Sequence, residues 1–186
     1  MTIKETIMSK AAELFLQNGI HGTSTKSIVT AAGVSNGALF NHFANKDELV
    51  VAIYQMYKDD LRNALYSALD PNDGIRKFLQ DYWNASILWA LNNPDKKTYL
   101  LTFQLQPSVK SCMENYDASR YDFLIPKINK AIEDQEIIAD NIDHFTFMFS
   151  GITDGVINYL NYNESADQDQ VIHNGFRQFW RSIVNF

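Results

Sequence analysis

Between Thr23 and Leu49 the chain reads TSTKSIVTAAGVSNGALFNHFANKDEL, and its polar side chains are of kinds that both donate and accept hydrogen bonds. If residues 35 to 43 form a helix, Ser35, Asn36, Ala38, Asn41 and His42 take its outward positions, while Leu39 and Phe43, four residues apart, share the inward side. An asparagine amide on such a helix can donate and accept toward adenine in a major groove, and the Ala38 methyl can meet thymine. Gly37 and Ala38 are small enough for the backbone to come close to a groove floor. The segment from Ser35 to Phe43 holds no lysine or arginine, so the chemistry it offers is the reading of base edges and not the neutralisation of charge. A polyanion would be held from beside it, by neighbouring lysines and by helix N-termini whose first N–H groups have no partner.

The residues that could do covalent or metal chemistry are dispersed. His21, His42, His144 and His173 stand far apart, Cys112 is the only cysteine, and there is no glycine-rich phosphate loop and no spacing of metal ligands. No catalytic residue, metal ligand or cofactor is therefore expected. A single cysteine forms no internal disulfide, which fits a reducing, cytoplasmic setting. No stretch approaches the ~20 apolar residues of a membrane span, so no membrane partner is expected. The net charge of -6 is unevenly distributed: residues 1–46 carry four lysines against Glu5 and Glu13, leaving twelve basic and twenty acidic side chains for the rest. Any acidic partner meets the N-terminal end.

Helices must position these residues. Apolar side chains recur at helical spacing nearly throughout, with no period-two run long enough for a sheet, and the fold class is all-α. Thr2 and Glu5 form a capping signal for a first helix running through Ile7, Ala11, Leu14 and Phe15 toward Gly19. A second follows Ser24, with Ile28, Ala31 and Ala32 inward and Gly33 as its stop. Ser35 offers a cap for the third. From Asp47 to Leu69 the positions Leu49, Ile53, Met56, Tyr57, Leu61, Leu65 and Leu69 describe one long amphipathic helix. Prolines 71, 94 and 107 then separate helices near 73–92, 95–105 and 108–135, the last kinked or split at Pro126, and two more are expected near 141–162 and 168–184.

The ordered block A-A-G-V-S, Gly37, Leu39-Phe40-x-x-Phe43 and N-K-D-E-L resembles the helix-turn-helix of the TetR (tetracycline repressor) family of bacterial transcriptional regulators. That resemblance covers residues 1 to about 50; the remainder is similar only in length and helical content. It implies an N-terminal three-helix DNA-binding head with a helix-turn-helix, joined by a long helix to a larger helical ligand-binding and dimerisation body. The domains would be 1–46 and 47–186. It also implies that Thr25, Lys26, Ser35, His42 and Lys46 fall where the family meets backbone oxygens or nearby bases, with Lys46 foremost, which together with Asn36, Gly37, Ala38 and Asn41 makes up the expected DNA-binding set. Two departures stand out. Phe40 occupies a position where the family usually has tyrosine, and there is no arginine before Arg62, which suggests an operator read through adenine, thymine and shape.

In the body, Tyr82, Trp83 and Trp89 share one helix and Tyr99 and Phe103 the next. Aromatic stripes at helical spacing more often fill a core than bind a ligand; the resemblance implies a small-molecule effector site in the body, and these five are its candidate residues. Phe145, Phe149, Ile152 and Val156 form a stripe on the penultimate helix, and Ile172, Phe176, Phe179 and Ile183 another on the last, with Gly151 and Gly155 small enough for close helix contact. By resemblance these stripes pair with their copies in a homodimer; a monomer could instead bury them against its own helices. The expected function is a ligand-responsive DNA-binding regulator, a repressor released from a double-stranded operator by a small molecule. The alternatives are a helical ligand-binding or interaction protein that no longer binds DNA, a plain three-helix bundle at the head, and an α-helical enzyme without a visible motif.

Overall fold

The computed structural model describes residues 1–114 and 121–184, and all regular structure among them is helical. In chain order the helices are α1 (Ile3–Gly22), α2 (Thr25–Ala32), α3 (Asn36–His42), α4 (Lys46–Ala68), α5 (Ile75–Asn92), α6 (Pro94–Phe103), α7 (Pro107–Glu114), α8 (Ile125–Glu133), α9 (Ile142–Tyr162) and α10 (Gln168–Ile183). The expected helix over 108–135 is two: Pro126 sits in the first turn of α8, where a missing N–H removes no helical bond. Residues 115–120 of that expectation lie outside the described residues. None of the helices among the described residues is long and apolar enough to cross a membrane.

Packing groups the chain into two compact units, Met1–Asp60 with Asp95–Tyr116, and Leu61–Pro94 with Asp117–Phe186. This grouping differs from the expected head and body: most of α6 and all of α7 belong with the first three helices, and α4 contributes residues to both units.

In the first unit the chain ends its helices with local hydrogen bonds. The Glu5 N–H donates to Thr2 Oγ1 at 3.2 Å while the Thr2 N–H donates to Glu5 Oε2 at 2.8 Å, a reciprocal cap that starts α1. α1 does not stop at Gly19 but bends there, because Gly19 takes φ 70° and ψ 167° inside the helix, a conformation open to a residue without Cβ. Ser24 Oγ accepts from the Ser27 N–H at 3.0 Å to start α2, and Gly33 ends it in the left-handed region at φ 65°. The Val34 N–H then reaches back to the Val29 carbonyl at 3.0 Å, and Ser35 Oγ accepts from the Ala38 N–H at 3.1 Å to start α3. Ile7, Ala11, Phe15, Ile28, Leu39, Phe43, Val50 and Ile53 form the core that holds α1 to α4 together. Val29, not Ala31, completes the inner face of α2, since Ala31 is exposed. Within the same unit Phe15 meets Phe103 edge-on at 6.5 Å, and Tyr99 lies against both Tyr57 and Phe103.

In the second unit α5, α9 and α10 pack around Trp83. Its indole is wholly buried, stacks on Phe179 with ring centroids 5.5 Å apart, meets Phe149 and Phe176 edge-on, and donates its N–H to the Ile172 carbonyl at 3.0 Å. Phe78, Leu79 and Ile87 of α5 and Phe145 of α9 complete this core.

Candidate nucleic-acid interface

α3 is held by its two inward side chains: Leu39 and Phe43 keep 2% and 3% of their surface exposed. Most of the opposite side is open. Ser35, Asn36, Gly37, Asn41 and His42 are exposed and Ala38 is half-buried, so the base-reading side chains expected from the sequence lie together on one uncovered face. Phe40, with 52% of its surface exposed, adds an apolar ring to this helix. Beside it, Lys26 is exposed and Thr25 half-buried in the first turn of α2, whose leading N–H groups, apart from the Ser27 N–H taken by the Ser24 cap, have no partner within the helix. The dipole at that end favours an anion, and an exposed lysine stands with it. Lys4 lies over the buried Phe43 ring at 5.7 Å, near the base of α3.

Lys46 is placed differently. Its ammonium turns toward the end of α1, donating to the Ile20 carbonyl at 2.8 Å and the Thr23 carbonyl at 2.9 Å. Two of its three donors are therefore taken by backbone oxygens, and the foremost expected phosphate contact is occupied within the chain.

The five body aromatics are divided between the units: Tyr82, Trp83 and Trp89 in one, Tyr99 and Phe103 in the other. Trp83 and Tyr99 have no exposed surface, and their polar atoms are satisfied, the Tyr99 hydroxyl donating to the Val50 carbonyl at 3.2 Å. Burial, aided by Tyr57, pushes the Tyr99 phenol well above its ordinary value. Trp89 and Phe103 are buried, while Tyr82 is half-buried and stacks on Phe149 at 4.2 Å. A separate open cavity of about 730 Å³ in the second unit is bordered by Gly74, Arg76, Gln80, Glu136 and Trp180, with the Arg76 guanidinium over the Trp180 ring at 5.8 Å. Nothing in the periodicity of the sequence singled out those residues, because they come from the beginning of α5, the loop after α8 and the end of α10.

Of the expected dimer stripes, Phe145, Phe149, Ile172, Phe176, Phe179 and Ile183 are all buried in the chain's own core, and Ile152 and Val156 are half-buried. The six buried side chains are thus covered within the chain itself. The uncovered apolar face of α9 is another one: Phe147, Met148, Tyr159 and Tyr162 are exposed, and Gly151 and Gly155 have no atom within 4 Å of where a Cβ would stand. Close helix contact inside the chain occurs instead at Gly175 of α10, where a Cβ would fall 2.8 Å from Val156 and 2.9 Å from Trp83.

Among the described residues no group of three or more His, Cys, Asp or Glu side chains could hold a metal ion. Cys112 is half-buried beside Gln55, whose amide lies 3.0 Å from its sulfur.

Comparison with known proteins bears on the same surface. A family model described as bacterial regulatory proteins, tetR family, matches residues 7–53, the whole of α2 and α3 with the parts of α1 and α4 that support them. The HTH-type transcriptional regulator UidR of Escherichia coli K12 is 25% identical over 186 residues, covering 96% of this chain and 89% of that protein. The HTH-type transcriptional repressor DhaR of Mycobacterium sp. GP1 is 29% identical over 87 residues, 46% of this chain and 43% of its own. A solved structure from Shewanella sp. PV-4, described as a tetR family transcription regulator, superposes with a TM-score of 0.86 at 25% identity over the full length of both chains.

Proposed function

Because this chain belongs to the TetR family of bacterial transcriptional regulators, we propose that it is a cytoplasmic, homodimeric repressor that binds a double-stranded DNA operator and leaves it when a small molecule binds. The family is one of regulators and not of enzymes. The observation that carries the DNA-binding reading is the open face of α3, where Asn36, Asn41 and His42 stand exposed on a helix fixed from behind by Leu39 and Phe43. In this reading residues 1–46 are the DNA-binding domain and residues 47–186 the effector-binding and dimerisation domain. Asn36, Ala38 and Asn41 read base edges, His42 lies at the end of the groove contact, Gly37 permits close approach, and Thr25, Lys26 and Ser35 hold phosphates at the capped helix starts.

The partner in the dimer is a second copy of this chain seated on the free face of α9. Met148, Gly151, Gly155, Tyr159 and Tyr162 recur at three- and four-residue intervals there, the pattern of a helix-packing seam, and the two glycines let a facing helix come close. The buried residues Phe145, Phe149, Phe176 and Phe179 support that face from behind. Tyr82, Trp83, Trp89, Tyr99 and Phe103 remain the candidate effector residues; Tyr82 keeps a minor part of its surface exposed, whereas a ligand reaching Trp83 or Tyr99 would have to open their cores.

Selection of duplexes from a random pool, followed by binding across a salt series, tests the reading. A regulator retains a sequence preference and loses affinity with a slope of about -0.9 per neutralised phosphate. Two observations favour the second reading, a ligand-binding protein that no longer grips DNA: the Lys46 ammonium is engaged by carbonyls, and Phe40 carries no hydroxyl. That reading predicts no salt-dependent binding to any duplex.

A further inference from the structure

Lys46 is the first residue of α4, a place where a positive side chain works against the helix dipole. Its ammonium avoids that end. It folds back across 26 and 23 residues of sequence onto the Ile20 and Thr23 carbonyls, at the C-terminal end of α1 where the dipole favours a cation. The receiving turn is itself tightly specified: Thr23 is 2% exposed, its hydroxyl donates to the Gly19 carbonyl at 2.8 Å, and its own N–H meets the Ile20 carbonyl at 3.4 Å. Ser24, the next residue, is the cap of α2. The Thr23 carbonyl held by Lys46 thus adjoins the residue that fixes the phosphate-facing start of α2.

We infer that Lys46 is a positioning residue: a latch that fastens the beginning of α4 to the turn between α1 and α2 and thereby sets where the N-terminus of α2 stands on the DNA backbone. It rests on the DNA-binding reading, but it reassigns this lysine from clamping a phosphate to holding the groups that do. A movement of α4 against α1 must lengthen or break the two bonds, so the latch ties the position of α4 to the geometry of the α2 cap.

The two roles separate in a salt series. Lys46→Met keeps the apolar stem and removes the ammonium. As a latch, Lys46 contributes charge-assisted hydrogen bonds, so the variant binds a duplex selected by the wild type about tenfold more weakly at every salt concentration, with the same slope. Hydrogen exchange then quickens at the amides of residues 24–28 while those of residues 7–12 in the core of α1 keep their rates. A phosphate clamp predicts a slope shallower by about 0.9, and that result overturns the inference. So does an unchanged slope with unchanged exchange at residues 24–28. Should Lys46→Met fail to fold, the wild type decides: its Lys46 ammonium protons, observed by lysine-selective NMR of the free protein, exchange slowly and do not shift when the duplex is added. Fast exchange in the free protein, or a new shift on adding the duplex, refutes the latch. If the wild type binds no duplex at all, the DNA-binding reading fails, and the ammonium exchange still judges the latch.

Discussion

Gly175 lies where α10 comes closest to its neighbours, and replacing it with alanine sets two effects of opposite sign against each other. Alanine in a helix interior gains about 1 kcal/mol over glycine. The added methyl, however, would stand 2.8 Å from Val156 Cγ2 and 2.9 Å from Trp83 Cζ2, well inside the ~3.5 Å at which carbon atoms attract one another. Val156 has a stiff β-branched side chain. Trp83 has nowhere to go: it is wholly buried, stacked on Phe179, bounded edge-on by Phe149 and Phe176, and tied through its N–H to the Ile172 carbonyl in the same helix as Gly175. Overpacking costs about 1–3 kcal/mol, and two contacts under 3.0 Å against neighbours that cannot yield put this one in the upper part of that range, about 2–3 kcal/mol. The net loss is therefore about 1–2 kcal/mol, and for a chain of this length the melting temperature falls by roughly 2–8 °C. Thermal unfolding followed by tryptophan fluorescence, at one protein concentration because oligomers gain stability with concentration, reads the difference. A Gly175→Ala protein as stable as the wild type, or more so, would show that the α5, α9 and α10 core is looser than described and would refute the reasoning.

Three other perturbations probe the remaining claims. Gly155→Ala meets no atom within 4 Å in the chain, so it leaves the monomer fold intact but weakens the dimer by crowding the free face of α9; sedimentation showing an unchanged dimer would place the interface elsewhere. Asn36→Ala should alter which duplexes are preferred more than it alters average affinity, by about 1–3 kcal/mol at the position it reads, and a repeat of the random-duplex selection that returns the wild-type sequence would count against a base contact. Tyr99 tests the buried phenol: burial holds it protonated above its ordinary value of 10.0. The unfolded phenol ionises near that ordinary value, so the unfolded state binds fewer protons above it and stability falls as pH rises through the interval up to the raised folded value, while below it the contribution is constant. Tyr99→Phe should start about 1 kcal/mol lower for the lost bond to Val50 and then decline less steeply in alkali; parallel decline of the two proteins would mean that the phenol is not shielded.

How far the sequence revealed this molecule depended on the range of the interactions involved. The starts and ends of the first helices were readable because caps are local: Thr2 with Glu5, Ser24, Gly33 and Ser35 each act within a few residues of themselves. The exposed side of α3 was readable for the same reason, since helical spacing alone separates Asn36 and Asn41 from Leu39 and Phe43. The α9 and α10 stripes were visible too, but periodicity states that Phe149 or Phe179 is covered without stating by what, and the cover is Trp83 on α5, distant in sequence. The face of α9 that stays open mixes glycines, tyrosines and a phenylalanine, and so made no strong stripe. Lys46 illustrates the limit best. A lysine beside a reading helix is a plausible phosphate ligand, and only the fold shows that the oxygens within its reach are those of Ile20 and Thr23.

The central claim is that a nearly uncharged helix reads the bases while its neighbours hold the backbone, and amide chemical-shift mapping with a duplex selected by the protein addresses it directly. The perturbed amides should cluster at residues 24–26 and 35–42, with those of residues 145–160 unaffected by direct contact. Perturbations that bypass residues 35–42, or none at saturating duplex, would contradict it.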